Sequence, residues 1–272
     1  MPQHSHSARR SWWSRRMPGS SATLNTSLLL LAALASPSAA QTTTAFTDQE
    51  TGIQFQRFFG AKSGFGFGIA LPTAPSTSFI GQLTFPLARG AGWGGFSLTG
   101  DMEGPLLMAA WPDGAGGIVS SFRQAANEDD NPPEVSGGFA VRPIAAATSV
   151  NATFLSYTFL CEGCLDASLG LSAAETAGAA VEMGWALGSR AVGNQASTAA
   201  VLNFHNVGFG DFKANLAAAR SAEFDTWAAL AGDALAPGAG AQPFSGGGGG
   251  GGDGGFDSGD EDDGGNDSDD DD

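Results

Sequence analysis

Three stretches of the chain alternate apolar with polar or small residues. FGFGIALP, residues 65–72, puts Phe65, Phe67, Ile69 and Leu71 on one side, with glycine or alanine between them. Residues 153–161 do the same with Thr153, Leu155, Tyr157, Phe159 and Cys161, and VEMGWAL aligns Val181, Met183, Trp185 and Leu187. Successive strand side chains point to opposite faces, so a period of two marks a strand with one buried face. Pro72, Pro75, Pro86, Pro112, Pro132 and Pro133 punctuate the chain where turns are expected. The expected fold class is therefore all-β, an antiparallel sandwich or barrel. Helical spacing occurs once, in KANLAAARSAEFDTWAALAG, where Leu216, Ala219, Phe224, Trp227 and Leu230 recur at helical intervals. It predicts a C-terminal helix packed on the sandwich. There is no internal repeat, and no glycine-rich phosphate loop between a strand and a helix.

Both ends fall outside this pattern. TLNTSLLLLAALASPSAA, residues 23–40, is an apolar run closing on small residues, with arginines upstream, which predicts a secretory leader over residues 1–40 cleaved before Gln41. The first 16 residues are long for such a leader, and Met17 would start a more ordinary one. The run is too short to favour a membrane span. From about Pro243 the chain becomes glycine-rich and then strongly acidic, a composition that cannot bury enough surface to offset chain entropy. Residues 243–272 are expected to form a disordered tail, and without a hydrophobic stretch after it no lipid-anchor signal is expected. Residues 41–242 suit one domain with a sizeable core.

Charge narrows the partners. The chain carries a net −16, and loss of Arg9, Arg10, Arg15 and Arg16 with the leader leaves 8 basic against 28 acidic residues, or −20. Nucleic acid and anionic membranes are poor partners for such a surface; cations and basic patches are better ones. The two cysteines form Cys161-Glu162-Gly163-Cys164. In an exported protein this spacing predicts a small-loop disulfide, whereas a redox motif would need an alternating strand–helix setting that is missing. Leu165 follows where covalent haem attachment of the c type would need histidine. Asn151-Ala152-Thr153 is an acceptor for N-glycosylation, and Asn266-Asp267-Ser268 in the tail is a second, less suited to use in so acidic a setting.

Of three histidines, His4 and His6 lie in the leader, so a processed chain keeps only His205, inside VLNFHNVGFGDF. A nucleophile–histidine hydrolase would need His205, yet no nucleophile-elbow motif is present. Histidine opposite methionine is a different use, as an axial pair on haem iron. Met183 shares a strand face with Trp185, and Met108 lies in the core-like run LLMAAW. Met102 alone stands in a polar turn, GDMEGP, where an apolar residue has no core duty.

Several separated motifs resemble, in the same order, the cytochrome domain of fungal cellobiose dehydrogenases. They are Phe79-Ile80-Gly81, Pro86-Leu87, Trp93-Gly94, Met102, Leu106 to Trp111, Ser120-Ser121-Phe122-Arg123, Cys161 to Cys164, and His205 before its glycine–phenylalanine turn. The resemblance covers roughly residues 46–220. It implies an immunoglobulin-like β-sandwich with a pocket for non-covalent haem b, and Met102 and His205 match the family's axial ligands. Methionine–histidine ligation leaves the iron no open axial position and favours the ferrous state, which suits single-electron transfer. The expected role is that of a secreted cytochrome, an electron carrier or iron-reductase-like domain rather than a hydrolase. It would pass electrons between an extracellular sugar dehydrogenase or small reductant and an acceptor such as a copper polysaccharide monooxygenase or ferric iron. No membrane anchor is expected, and the protein is expected to be a monomer.

The chain departs from that family in two places. Where the relatives carry a glycine–tyrosine pair near a haem propionate, this chain has Gln124 to Asp130, and Glu128-Asp129-Asp130 would repel propionates. The polyglycine run stands where a linker would lie and an acidic tail where the flavin dehydrogenase domain would follow, so the electron donor is expected to be a separate molecule, unless the sequence is truncated before a downstream domain. The competing expectations are a haem-free sandwich that binds carbohydrate, and an acidic structural protein whose tail holds calcium diffusely, lacking the ligand spacing of an EF-hand loop.

Overall fold

The computed structural model describes residues 41–246 except residue 179. The leader, the tail beyond residue 246 and the sequon at Asn266 lie outside the described residues. The first half of the chain forms β1 (Thr44–Thr47), β2 (Gln54–Phe59), β3 (Gly66–Pro72), β4 (Phe79–Pro86), β5 (Trp93–Ser97), β6 (Leu107–Pro112), β7 (Ile118–Arg123) and β8 (Val135–Ser136). Then follow β9 (Ala140–Pro143), β10 (Ser149–Val150), β11 (Phe154–Glu162), β12 (Val181–Gly188), β13 (Gly208–Ala214), β14 (Arg220–Ser221), helix α1 (Phe224–Ala228) and β15 (Gln242–Pro243).

One sheet runs antiparallel in the order β1-β2-β3-β4-β11-β10, with β9 on the β11 edge and β14 pairing in parallel with the end of β3. The other, also antiparallel, is β13-β12-β5-β6-β7. The three alternating stretches read from the sequence are β3, β11 and β12, and their apolar faces meet in the core between the sheets. There Phe58, Phe67, Phe85 and Phe159 from one sheet pack with Phe96, Met108, Met183 and Phe212 from the other. Phe67 stacks on Phe96 at 4.3 Å and Phe58 on Phe212 at 4.5 Å. Each such ring taken out of water contributes about 1.5–3 kcal/mol before entropy is charged against it. The single tyrosine supplies a polar tie between the sheets: Tyr157 Oη lies 3.0 Å from Ser120 Oγ, and burial pushes the phenol up to about 12. Two motif glycines owe their identity to this core. A Cβ on Gly81 would collide with the Phe159 ring, and one on Gly94 would collide with the Phe85 ring.

The helix is much shorter than its periodicity predicts. Lys213 and Ala214 finish β13, and Arg220 and Ser221 pair with Leu71 and Pro72. Leu216 and Ala219 fill the core between the sheets, whereas Phe224 and Trp227 pack with Ile53, Phe55 and Ile80 in a separate cluster. One continuous helix could not serve both. Arg220 holds the break, donating to the Pro72 carbonyl at 2.8 Å and to Thr176 Oγ1 at 2.9 Å. Further on, Pro243 pairs with Ser136, and Ser245 N donates to Gln124 Oε1 at 3.1 Å, so the chain is held to the body up to that point.

Candidate functional site

The outer face of the five-stranded sheet carries the site. Because Phe96, Met108, Met183 and Phe212 point inward, alternation turns Trp93, Gly95 and Ser97 of β5 outward, with Ala109 and Trp111 of β6, Gly184 and Ala186 of β12, and Phe209 and Asp211 of β13. Val192, Ala200 and Leu202, from the segment between β12 and β13, roof part of this face by packing on Trp93, Ala109 and Trp111. Two indoles fasten the roof: Trp111 Nε1 donates to the Gln195 carbonyl at 2.9 Å, and Trp93 Nε1 to the Asn203 carbonyl at 3.0 Å.

His205 lies where that segment turns into β13. Asn206 N donates to the Phe204 carbonyl at 2.8 Å, Gly208 N to the His205 carbonyl at 3.1 Å, and Val207 N to the Leu187 carbonyl at 3.1 Å. The imidazole sits 4.3 Å from the Phe204 ring, 4.4 Å from Phe209 and 6.5 Å from Trp93, measured between centroids. Its Nδ1 is buried and makes no hydrogen bond among the described residues. Burial pushes the imidazole pKa below its usual value; the residue's own backbone pulls the other way without completing a hydrogen bond, as does the charge of Glu128. The ring is thus biased toward the neutral form, the one with a lone pair to offer a metal. Around it Phe204, Phe209 and Val207 are 69%, 60% and 41% exposed, an apolar collar with nothing from the described chain covering it.

Met102 is half-buried in the loop that joins β5 to β6. The loop is braced on both sides of it. Ser97 Oγ donates to the Asp101 carbonyl at 2.7 Å, Glu103 N to Asp101 Oδ1 at 3.0 Å, Gly104 N to the Ala125 carbonyl at 3.0 Å, and Gln124 Nε2 to the Gly104 carbonyl at 2.9 Å. Gly100 abuts the carboxylates of Glu182 and Asp211, which sets the loop at the Ser97–Gly184–Asp211 end of the outer strip. His205 stands at the other end, beside Trp93 and Gly188. Along β5 these ends, Ser97 and Trp93, are four residues apart, about 13 Å at the rise of a strand. Two sequence-predicted residues 103 positions apart therefore flank one strip whose floor, at Gly95, Gly184 and Ala186, is made of small residues.

Acidic groups crowd the same surface. Burial, then Glu182 and Asp101, raise the Asp211 carboxyl above its usual range. Asn127 Oδ1 accepts from the amides of Asp129 and Asp130, folding the turn whose Glu128 influences His205. Cys161 and Cys164 are joined, with Cα atoms 5.7 Å apart, and lie buried in the core between the sheets rather than in the site. Asn151 is exposed, its Oδ1 accepting from Thr153 N and Thr153 Oγ1 at 2.8 and 2.9 Å. In the sequence Trp93 stands out only as a motif residue and Phe204 and Phe209 carry no assigned role; alternation along β5 and β13 is the signal that turns Trp93 and Phe209 outward.

The family model described as the cytochrome domain of cellobiose dehydrogenase matches residues 46–226. The solved cytochrome domain of Myriococcum thermophilum cellobiose dehydrogenase is 31% identical with a TM-score of 0.63, covering 70% of this chain and 96% of that one. The cytochrome b domain of pyranose dehydrogenase from Coprinopsis cinerea shares the fold at 23% identity and a TM-score of 0.59, covering 75% of this chain and all of that one. The pyrroloquinoline quinone-dependent pyranose dehydrogenase of Coprinopsis cinerea is 31% identical over 150 residues, which are 54% of this chain but 20% of that protein. The chain thus spans about a fifth of that relative's length.

Proposed function

The chain belongs to the family of cellobiose dehydrogenase cytochrome domains, and on that footing we propose that it holds haem b between Met102 and His205 and relays single electrons. The donor is an extracellular sugar dehydrogenase or small reductant, and the acceptor a copper polysaccharide monooxygenase or ferric iron.

The observation that carries this reading is the state of His205. Its imidazole is biased toward the neutral form, its buried Nδ1 is hydrogen-bonded to nothing among the described residues, and it opens into an exposed collar of Phe204, Val207 and Phe209. A contiguous exposed apolar patch marks a binding site more often than bare surface, and an apolar macrocycle seated on the collar would cover it. The donor set also fits: imidazole and thioether are iron ligands that favour the reduced state. When bound, the haem supplies a one-electron couple with both axial positions filled.

The chain's own part is to hold and shield. The braced β5–β6 loop fixes the backbone around Met102, and the turn before β13 fixes that of His205. Asp101, Glu103, Glu128, Glu182 and Asp211 border the strip, so a partner with a basic patch, or a cationic acceptor, is favoured at close range and the encounter weakens with salt. The leader, the small-loop disulfide and the Asn151 sequon agree with a secreted glycoprotein.

Visible spectra of the purified secreted protein, oxidised and then reduced, test the proposal. A sharp low-spin six-coordinate pattern is expected, and Met102→Ala and His205→Ala should each abolish it while the far-ultraviolet circular dichroism of the sandwich persists. An unchanged spectrum in either variant removes that residue from its role. A colourless protein that takes up no added haem overturns the reading as a whole.

A further inference from the structure

Histidines that ligate metals are ordinarily oriented by a hydrogen bond from the other ring nitrogen to a carboxylate, carbonyl or water. His205 has no such partner among the described residues, so what the described chain offers to place the ring is its backbone and its aromatic neighbours. We infer that Trp93 is the positioning residue for His205, acting through the backbone rather than through the imidazole; the inference rests on the haem reading above.

The geometry is a clamp on both sides of the histidine. On the N-terminal side, Trp93 Nε1 donates to the Asn203 carbonyl at 3.0 Å, two residues before the ligand, and Asn203 Nδ2 donates to the Ala191 carbonyl at 2.6 Å. On the C-terminal side, Asn206 Oδ1 accepts from Ser189 N at 3.1 Å and Asn206 Nδ2 donates to Ser189 Oγ at 3.0 Å. Between them the imidazole is flanked by the Phe204 and Phe209 rings and meets the edge of Trp93 at 67°. Trp93 is placed to act as an anchor: it is buried on β5, paired with Gly188 of β12, and its indole occupies the space where a side chain on Gly188 would stand. Glycine at 188 is thus part of the device. The consequence is a ligand whose backbone is fastened on both sides.

Trp111 provides an internal control. It lies on the same face of the neighbouring strand, is also buried, and also donates its indole N–H to the covering segment, but at Gln195, ten residues before His205. Trp93→Phe and Trp111→Phe each remove one buried indole–carbonyl hydrogen bond and keep an aromatic ring, so a merely structural role predicts the same outcome for both.

The test compares haem-loaded wild type, Trp93→Phe, Trp111→Phe and Gly188→Ala by the rate of haem transfer to excess apomyoglobin, the low-spin fraction in the visible spectrum, and thermal unfolding. Trp93→Phe is expected to release haem roughly 10- to 100-fold faster, the usual effect of losing an outer-shell partner, and to show a fraction of five-coordinate haem. Gly188→Ala, which displaces the indole from its carbonyl, should change the same readouts in the same direction and carries the test if Trp93→Phe does not fold. Trp111→Phe should lose thermal stability while keeping the wild-type spectrum and release rate. Equal haem release from the two tryptophan variants, or a Trp93→Phe protein that matches wild type, overturns the inference. A wild type that never takes up haem fails earlier and sinks the parent reading instead.

Discussion

Arg123 is the most completely buried charge in the described chain, at 1% exposure, and its replacement by methionine has a calculable consequence. From β7 the guanidinium donates to Ser121 Oγ at 2.9 Å and to the carbonyls of Pro132 at 2.9 Å, Thr198 at 2.6 Å and Ala200 at 2.9 Å. It lies 5.6 Å above the Trp111 ring, and its charge acts on Glu134, itself buried and accepting from Thr198 Oγ1 at 2.9 Å and Gly238 N at 2.8 Å. Methionine keeps the apolar stem but leaves three carbonyls and Ser121 Oγ without their donor, and removes the charge that acts on the buried Glu134 without touching its carboxylate. Buried groups stripped of a partner cost about 1–3 kcal/mol each, partly offset by the added apolar surface, and removal of one member of a buried charge pair costs about 3–5 kcal/mol. The expected loss for Arg123→Met is therefore about 4 kcal/mol, or roughly 8–16 °C in Tm for a domain of this size.

Urea unfolding at fixed pH measures that loss, and its pH dependence adds a second check. Burial pulls the Arg123 pKa down to about 10, with Glu134 pulling it back up. A base depressed in the folded state gains stability only as pH rises through the folded value, so across neutral pH the group is charged both folded and unfolded and the loss should not vary. Adding Glu134→Leu to Arg123→Met should recover part of it, since removing both charges is far cheaper than stranding one. A loss below about 1 kcal/mol, the worth of an exposed ion pair, would refute the reasoning by showing that water solvates the cavity.

Gly81→Ala should destabilise by about 1–3 kcal/mol as the Phe159 ring is forced off its seat, seen as a lowered urea midpoint; an unchanged midpoint would mean that the ring relaxes freely. Asp211→Asn should stabilise the neutral-pH protein by on the order of 0.5 kcal/mol, the scale of an exposed charge interaction. An acid whose folded pKa is raised gives up stability as pH rises through that pKa, so the gain should be present where Asp211 is ionised and vanish below the ordinary aspartate value of 3.8. Thermal unfolding across that pH range decides it, and a gain that persists in acid would point to packing instead of charge.

What could be read without coordinates was whatever depends on near neighbours in the chain. Period-two alternation marks β3, β11 and β12 with the correct inward residues except Thr153, which is exposed just ahead of β11, because side-chain direction in a strand follows from position alone. Residue type draws attention to His205, the one histidine outside the predicted leader, and to Met102 in its polar turn, while the family resemblance supplies their pairing as ligands. The same local logic overran at residues 213–232, where one helical spacing proved to be two apolar pairs serving different clusters. It was silent on Trp93, on the unpartnered imidazole nitrogen, and on why Gly81 and Gly94 must be glycine. Those answers depend on which strands lie side by side and in what register. Pairing of β5 with β12 and of β12 with β13 carries the Met102 loop and His205 to the two ends of one strip. Such pairing is decided by burial summed over both sheets at once, and no window of neighbouring residues contains it.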